Sequence, residues 1–169
     1  EFWNKLQYEQ ELDLGFSQTG SLLLAHPQDR YIRERLITHI KQPSEARPLN
    51  RVDLKALEPQ ISEQFSDAIF LPHEAHLNPQ KASEALCSHI EERGVCFINK
   101  KVQPEDLIQK YDSVIDTRGY SAAIHQSKLR AVKGELLIVE NTEFHLERPV
   151  RIMHPRYPLY IVPRGEGLF

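Results

Sequence analysis

The segment from Arg151 to Gly165, RIMHPRYPLYIVPRG, combines side chains that could hold a small anion. It carries three arginines, two tyrosines and one histidine around the apolar run 159–162. Guanidinium and phenol groups are the donors with which a partly dry pocket holds a carboxylate. The alternative is an edge strand whose arginines face solvent and whose prolines prevent further pairing. The residues alone do not separate these two interpretations.

The apolar run in this segment predicts a strand over 157–163. In a strand, successive side chains point to opposite faces. One face would then carry Tyr157, Leu159 and Ile161, and the other Pro158, Tyr160 and Val162.

Two further groups of residues have the chemistry of metal ligands. In HEAH, His73 and His76 are three residues apart, whereas the helical zinc motif needs four, and prolines flank the segment. This spacing favours surface loop residues. Cys87 and Cys96 lack C-x-x-C spacing, so we predict two buried apolar side chains. We therefore expect no metal site.

The segment VIDTRGY, residues 114–120, predicts a short buried strand that ends in a glycine turn. Glycine lets the backbone approach a ligand because no Cβ stands in the way. The alternative is an ordinary turn at the end of a strand, and the spacing by itself favours it.

The composition limits the classes of protein to consider. The 169 residues are 40% hydrophobic and 27% charged, which is typical of a soluble globular domain. A net charge of −3 argues against a general nucleic-acid or anionic-membrane binder. No apolar run approaches the roughly 20 residues that span a bilayer. Two cysteines fit a reducing cytosol, so we expect a cytoplasmic protein.

Three helices are predicted. Ile32, Leu36 and Ile40 recur every four residues, which is typical of one apolar stripe along a helix. DLKALEP predicts a short helix that ends at a proline. The clearest helix covers 79–93, where Asn78 can cap the amino terminus and Gly94 can end the last turn.

The predicted strands lie at both ends of the chain and between the helices. They cover 22–25, 67–72, 95–98, 113–116, 135–140 and 157–163. This order favours an α+β fold with an antiparallel-rich mixed sheet.

Several colinear segments together resemble the glycine oxidases of thiamine biosynthesis, within the FAD-dependent D-amino acid oxidase family. The matching segments are GSLLLAH, LKALEPQIS, AIFLPHEAHLNPQKASEALCSHIEERGVCF, YDSVIDTRGYSA, RAVKGELLIV and RPVRIMHPRYPLYIVPRG. The resemblance covers nearly the whole chain, and it favours a substrate role for the segment 151–165.

The resemblance implies a division into two interleaved domains. Residues 1–76 and 128–169 would belong to a substrate-binding domain, and residues 77–127 to an FAD-binding domain. Tyr160 would help to hold the substrate carboxylate, with Arg151 and Arg156 as less secure candidates. Val102 would lie beside the adenine of FAD, and the turn of Thr117, Arg118 and Gly119 would pass near the flavin.

The family's amino-terminal dinucleotide-binding glycines and its carboxylate-binding arginine have no counterpart in this sequence. We therefore expect the 169 residues to be the middle fragment of a longer enzyme, inactive and colourless by itself. Arg118 stands where the family usually has a smaller residue, which weakens the inference of a direct flavin contact.

The resemblance implies a reaction in which a small amino acid loses a hydride from its α-carbon to the flavin. The imine that results hydrolyses to an oxo acid, and oxygen yields hydrogen peroxide. This chemistry needs no protein nucleophile and no metal. Two alternatives stay open: a sarcosine-oxidase-like or D-amino acid dehydrogenase activity, and a non-catalytic module that binds small anions. The sequence leaves the formation of a homo-oligomer open as well.

Overall fold

The computed structural model describes residues 2–39, 45–141, 143–165 and 167–169. The described chain divides into two compact units. The first unit comprises Glu1–Ile90 and Ile138–Phe169, and the second comprises Glu91–Leu137.

The first unit is built on a five-stranded sheet with the order β2-β3-β1-β4-β5. β1 pairs with β4 in parallel, whereas the other three pairs of neighbouring strands are antiparallel. The predicted α+β class with an antiparallel-rich mixed sheet is therefore confirmed. The strands are β1 (Ser21–Ala25), β2 (Arg47–Asn50), β3 (Asp67–Leu71), β4 (Val150–Met153) and β5 (Leu159–Ile161).

One face of the sheet carries the larger apolar core. Leu22 and Leu24 of β1 are fully buried there, together with Val150 of β4. Leu54, from helix α3 (Arg51–Leu57), covers this face. Each buried aliphatic side chain contributes about 1.5–3 kcal/mol through removal of its surface from water. The remaining buried members are Ile61, Phe65, Ala68 and Leu146.

Helix α2 (Arg30–Ile37) lies on the opposite face of the sheet. Its Leu36 and Ile37 pack against Leu23, Ile69 and Leu71, which alternate with the core residues of the first face. The predicted stripe through Ile32 and Leu36 thus falls on a helix. Its third member, Ile40, lies outside the described residues.

Helix α4 (Pro79–Glu92) confirms the strongest helix prediction. The Asn78 side chain accepts hydrogen bonds from the backbone N–H groups of Gln80 (3.0 Å) and Lys81 (3.2 Å). Gly94 has φ of +85°, the left-handed conformation that ends a helix. Two short helices, α1 (Phe2–Tyr8) and α5 (Pro104–Ile108), complete the set of α-helices in the described residues.

Three strand predictions are wrong. Residues 95–98, 113–116 and 135–139 adopt no regular structure, and Glu140 makes only an isolated bridge with Leu168. Ile115, which was expected in a buried strand, is 84% exposed. The apolar composition suits a strand, but in the described residues none of these segments joins a sheet. In the third segment, Val139 exchanges backbone hydrogen bonds with Phe169 (3.1 and 3.0 Å).

The prediction of buried cysteines is also wrong, since Cys87 and Cys96 are both exposed. Cys87 lies on the outer side of α4, whose apolar residues face the other way. Cys96 lies in one of the segments that do not form a strand.

None of the helices in the described ranges has the length and apolar character that crossing a lipid bilayer requires.

Candidate functional site

Arg151 and Tyr160 form the most suggestive pair of polar residues on the sheet. They are direct partners across the β4–β5 ladder. The Arg151 guanidinium carbon lies 5.0 Å from the centre of the Tyr160 ring, which is cation–π geometry. Their neighbours Val150 and Ile161 pack into the core on the other face. Alternation therefore directs Arg151 and Tyr160 to the face that also carries α2.

Arg156 lies apart from this pair, in the exposed turn between β4 and β5. The His154 ring organises the turn, because its Nδ1 accepts hydrogen bonds from the backbone N–H groups of Arg156 (3.2 Å) and Tyr157 (3.1 Å). The rings of His154 and Tyr157 also stack, with 5.8 Å between their centres. Of the three predicted substrate-binding residues, the structure thus brings two into contact.

A buried ion pair holds the chain that leads into β4. The Arg148 guanidinium contacts the Glu58 carboxylate at 3.1 Å, and both side chains are more than nine-tenths buried. Arg148 also donates hydrogen bonds to the carbonyl oxygens of Leu57 (2.5 Å) and Thr19 (3.2 Å). Burial raises the pKa of Glu58 even though Arg148 and the backbone N–H of Glu147 favour its charged form. Sequence reasoning did not single out either residue.

In the second unit, the predicted cofactor turn has a defined local structure. The Asp116 carboxylate receives two hydrogen bonds from the Arg118 side chain (2.7 and 2.8 Å) and one from its backbone N–H (3.1 Å). These hydrogen bonds lower the pKa of Asp116 to about 2. Gly119 follows with φ of +60° and begins a 3-10 helix, Gly119–Ile124. The Arg118 guanidinium is therefore bound to the Asp116 carboxylate of the same turn.

A cavity of about 400 Å³ lies beside this turn. Of the predicted cofactor residues only Gly119 lines it, whereas Val102, Thr117 and Arg118 do not. Sequence reasoning missed its other lining residues. The D-x-R-G order could have indicated Asp116, because an aspartate side chain often bonds the backbone two residues on. The full lining is Asp116, Gly119, Ala122, Gln126, Lys128 and Leu129.

The HEAH segment is not a helix, and its three polar residues have separate surroundings. His73 and Glu74 are exposed, and Glu74 accepts a hydrogen bond from the Ser21 hydroxyl. His76 is half-buried, so the expectation of a surface loop residue is wrong for it. In the described part of the chain, no three His, Cys, Asp or Glu side chains come together as a metal site would require.

Comparison with known protein families gives a match over residues 1–169 to the model of the DAO family, described as FAD dependent oxidoreductase. The chain belongs to this family of FAD-dependent oxidoreductases.

Two relatives refine this assignment. A Rhizobium etli protein named as the thiamine biosynthesis oxidoreductase ThiO is 40% identical over 121 residues, 72% of this chain and 36% of that protein. The crystal structure of a glycine oxidase from Bacillus cereus superposes with a TM-score of 0.67 at 18% identity. That superposition covers 98% of this chain and 51% of the other, and at this identity it shows the fold alone. The chain thus spans about a third to a half of the length of these two proteins.

The second unit offers residues that fit part of an FAD molecule. A side chain added at Gly119 would meet nothing within 4 Å, so a flat ring can approach this backbone. The adjoining cavity has the volume of ordinary ligand pockets, and Lys128 adds a positive charge to its lining. Val102 exposes 38% of its surface and offers an apolar contact of the kind an adenine needs. Gly119 and Val102 thus offer the kinds of surface that the rings of FAD would need.

Proposed function

We propose that this chain is part of an enzyme that oxidises glycine or another small amino acid. The amino acid becomes an imine and then an oxo acid, and oxygen is reduced to hydrogen peroxide. One observation carries the proposal: the Arg151 guanidinium lies over the Tyr160 ring, and both groups are partly exposed on one sheet face.

In this proposal Arg151 and Tyr160 hold the substrate carboxylate. Arg151 supplies a permanent positive charge and a planar array of N–H donors. The Tyr160 hydroxyl supplies one further donor, and the contact of its ring with the Arg151 guanidinium keeps the two groups together. Fixing the carboxylate at two points orients the bond between the α-carbon and its hydrogen, which is the bond that must break.

FAD, when bound, supplies the two-electron oxidant for this bond. The residues of the chain then need only to position the substrate and hold the cofactor. We assign Val102, Thr117, Arg118 and Gly119 to the cofactor side. For Arg118 the role is indirect: its bidentate pair with Asp116 fixes the conformation that presents Gly119.

The proposal also assigns the segments of the chain to substrate binding or to cofactor binding. We assign residues 1–76 and 128–169 to the substrate side of the enzyme, and residues 77–127 to the cofactor side. The name of the Rhizobium etli relative supports a role in thiamine biosynthesis. A cytoplasmic location and self-association belong to the same proposal.

Sarcosine-oxidase-like and D-amino acid dehydrogenase activities would use the same carboxylate contact. Arg151 and Tyr160 recognise the carboxylate and make no distinction between substituents on the amine or the α-carbon. Turnover of glycine, sarcosine and D-alanine by the intact protein, followed with oxygen and with an artificial electron acceptor, separates these activities.

The decisive experiment is Tyr160→Phe in the intact protein. The substitution keeps the ring beneath Arg151 and removes only the hydroxyl. A hydrogen bond to a charged group contributes roughly 1.5–3 kcal/mol, so glycine affinity should fall about tenfold to a hundredfold. Steady-state kinetics measure this loss, and the flavin absorbance should stay unchanged.

Two arginine variants complete the test. Arg151→Ala should also weaken glycine binding, whereas Arg156→Ala, in the exposed turn, should cost far less. If Tyr160→Phe keeps wild-type kinetics while Arg156→Ala loses glycine binding, the pocket lies at the turn and the assignment to the β4–β5 pair is wrong.

A further inference from the structure

We propose that the first unit contains a second ligand site, a basic cavity that binds a small oxyanion. The cavity has a volume of about 430 Å³. Its lining includes His76, Lys81 and Arg164, with Thr19 between them. Neither Arg151 nor Tyr160 lines it, so it is distinct from the site proposed for the substrate carboxylate.

Backbone pairing builds the walls of the cavity. The N–H of Ser17 donates to the His76 carbonyl (2.8 Å), and the N–H of His76 donates to the Ser17 carbonyl (2.9 Å). The N–H of Asn78 donates to the Leu14 carbonyl (3.1 Å), which continues the pairing. The Arg164 side chain then joins a third segment to this pair, through a hydrogen bond from Nη1 to the Leu77 carbonyl (2.5 Å). The basic groups are thus fixed by the fold.

Two buried polar atoms of the lining residues lack a hydrogen-bond partner among the described residues. They are the hydroxyl oxygen of Thr19 and Nδ1 of His76. Leaving a buried donor or acceptor unpaired is unfavourable, so such atoms are rare in native proteins. An oxyanion would accept a hydrogen bond from the Thr19 hydroxyl and from the Nδ1–H of His76. Both atoms belong to residues that line the cavity.

The charges around the cavity also favour an anion. Burial lowers the pKa of His76, and the positive charge of Arg164 lowers it further. The other charged lining groups have partners of opposite sign: Lys81 contacts Asp13 at 2.9 Å, and Glu147 contacts Arg148 at 3.0 Å. The contact with Leu77 uses one of the five N–H groups of Arg164. Because Arg148 also pairs with Glu58, it is Arg164 that supplies the positive charge for an anion.

The Arg164 guanidinium, the two unpaired polar atoms and the volume of the cavity favour the oxyanion of a small metabolite as the ligand. This group would be either a carboxylate or a phosphate monoester. A guanidinium binds both through two parallel hydrogen bonds, and the cavity has the volume of a small-molecule site. The neutral donors Thr19 and His76 would fix the orientation of the group.

The test titrates the intact protein with sodium acetate and with inorganic phosphate by calorimetry. The ¹⁵N resonances of His76 should follow a saturable curve for each anion, and they report on this cavity even when acetate also binds at the proposed substrate site. Arg164→Gln should weaken binding at least tenfold, equivalent to about 1.4 kcal/mol. Thr19→Val, which keeps the shape of the side chain, should weaken it severalfold. Tighter binding of phosphate would assign a phosphate group, and tighter binding of acetate a carboxylate.

Two control variants separate this site from the proposed substrate site. Arg156→Gln removes an equally charged but exposed arginine and should leave anion binding unchanged. Tyr160→Phe should leave the ¹⁵N titration of His76 unchanged as well, although acetate binding at the proposed substrate site should weaken. No saturable binding, or equal loss of binding in Arg156→Gln and Arg164→Gln, would overturn the proposal. Loss of acetate binding in Tyr160→Phe but not in Thr19→Val would also reject the basic cavity, while it would support the substrate site.

Discussion

The two units of the chain differ in how deeply they bury similar apolar segments. In the first unit, Leu22 to Leu24 of β1 are at most 1% exposed and have strands on both sides. In the second unit, Ile115 and Ile98 expose 84% and 68% of their surface. Among the buried apolar residues of the described chain, only Ala122 lies in the second unit.

This difference shows that composition favours a strand but does not form one. Val, Ile, Leu and Phe suit the pleated surface of a sheet, yet each strand needs a neighbour for its N–H and C=O groups. β1 finds β3 and β4 on its two sides. The segment 113–116 has no such neighbour in the described residues, and its backbone adopts no regular structure.

The ion pairs of the two units give the strongest contrast. Arg148→Met leaves the Glu58 carboxylate buried without its cation, and breaking such a pair costs about 3–5 kcal/mol. Arg118→Met breaks a 2.7 Å pair on the surface of the second unit and should cost far less, because exposed ion pairs contribute little to stability. The free energy of unfolding in urea measures both. Equal losses would contradict the contrast between a buried and an exposed pair.

Truncation of apolar side chains tests the packing directly. Leu24→Ala removes a fully buried side chain and should lower the free energy of unfolding by about 2–5 kcal/mol. Ile115→Ala, a change of the same kind in the second unit, should stay within about 0.5 kcal/mol. A large loss in Ile115→Ala would show that this residue is covered in the intact protein.

The pKa values of Asp116, in the second unit, and Glu58, in the first, are shifted in opposite directions from their ordinary values. Asp116 should have its pKa at about 2, so its contribution to stability is complete above pH 3.8 and is lost as the pH falls towards 2. The pKa of Glu58 is raised above 4.5, so ionisation of this group lowers stability as the pH rises through its folded-state value. Carboxyl ¹³C shifts follow both titrations.

Arg118→Gln is the matched variant for this titration. It should return the pKa of Asp116 towards 3.8 and leave the titration of Glu58 unchanged. If Asp116 keeps its low pKa in Arg118→Gln, hydrogen bonds from Arg118 are not the cause of the shift.

Sequence reasoning predicted the elements whose signals are local. The helix α4 follows from Asn78, Pro79 and Gly94, which act within one or two turns of the helix ends. The strands β1, β3 and β5 were predicted from short apolar runs with clear boundaries. Within β5, alternation places Leu159 and Ile161 on one face of the sheet and Tyr160 on the other. The segment 95–98 carries the same local signal without a neighbouring strand in the described residues. In the segment 135–140, the described pairing is confined to Val139 and Glu140 at its end.

For the candidate sites, too, some features follow from the sequence and others only from the tertiary structure. The sequence by itself determined the family and the α+β class, because residue types and their order carry that information. It also gave Tyr160, Arg151 and Arg156 as candidate substrate residues. Only the tertiary structure decided that the Arg151 and Tyr160 side chains touch, that Arg148 reaches Glu58, and that His76, Thr19 and Arg164 share a cavity. Each of these contacts joins residues from separate strands or loops, and the register between strands fixes which side chains meet.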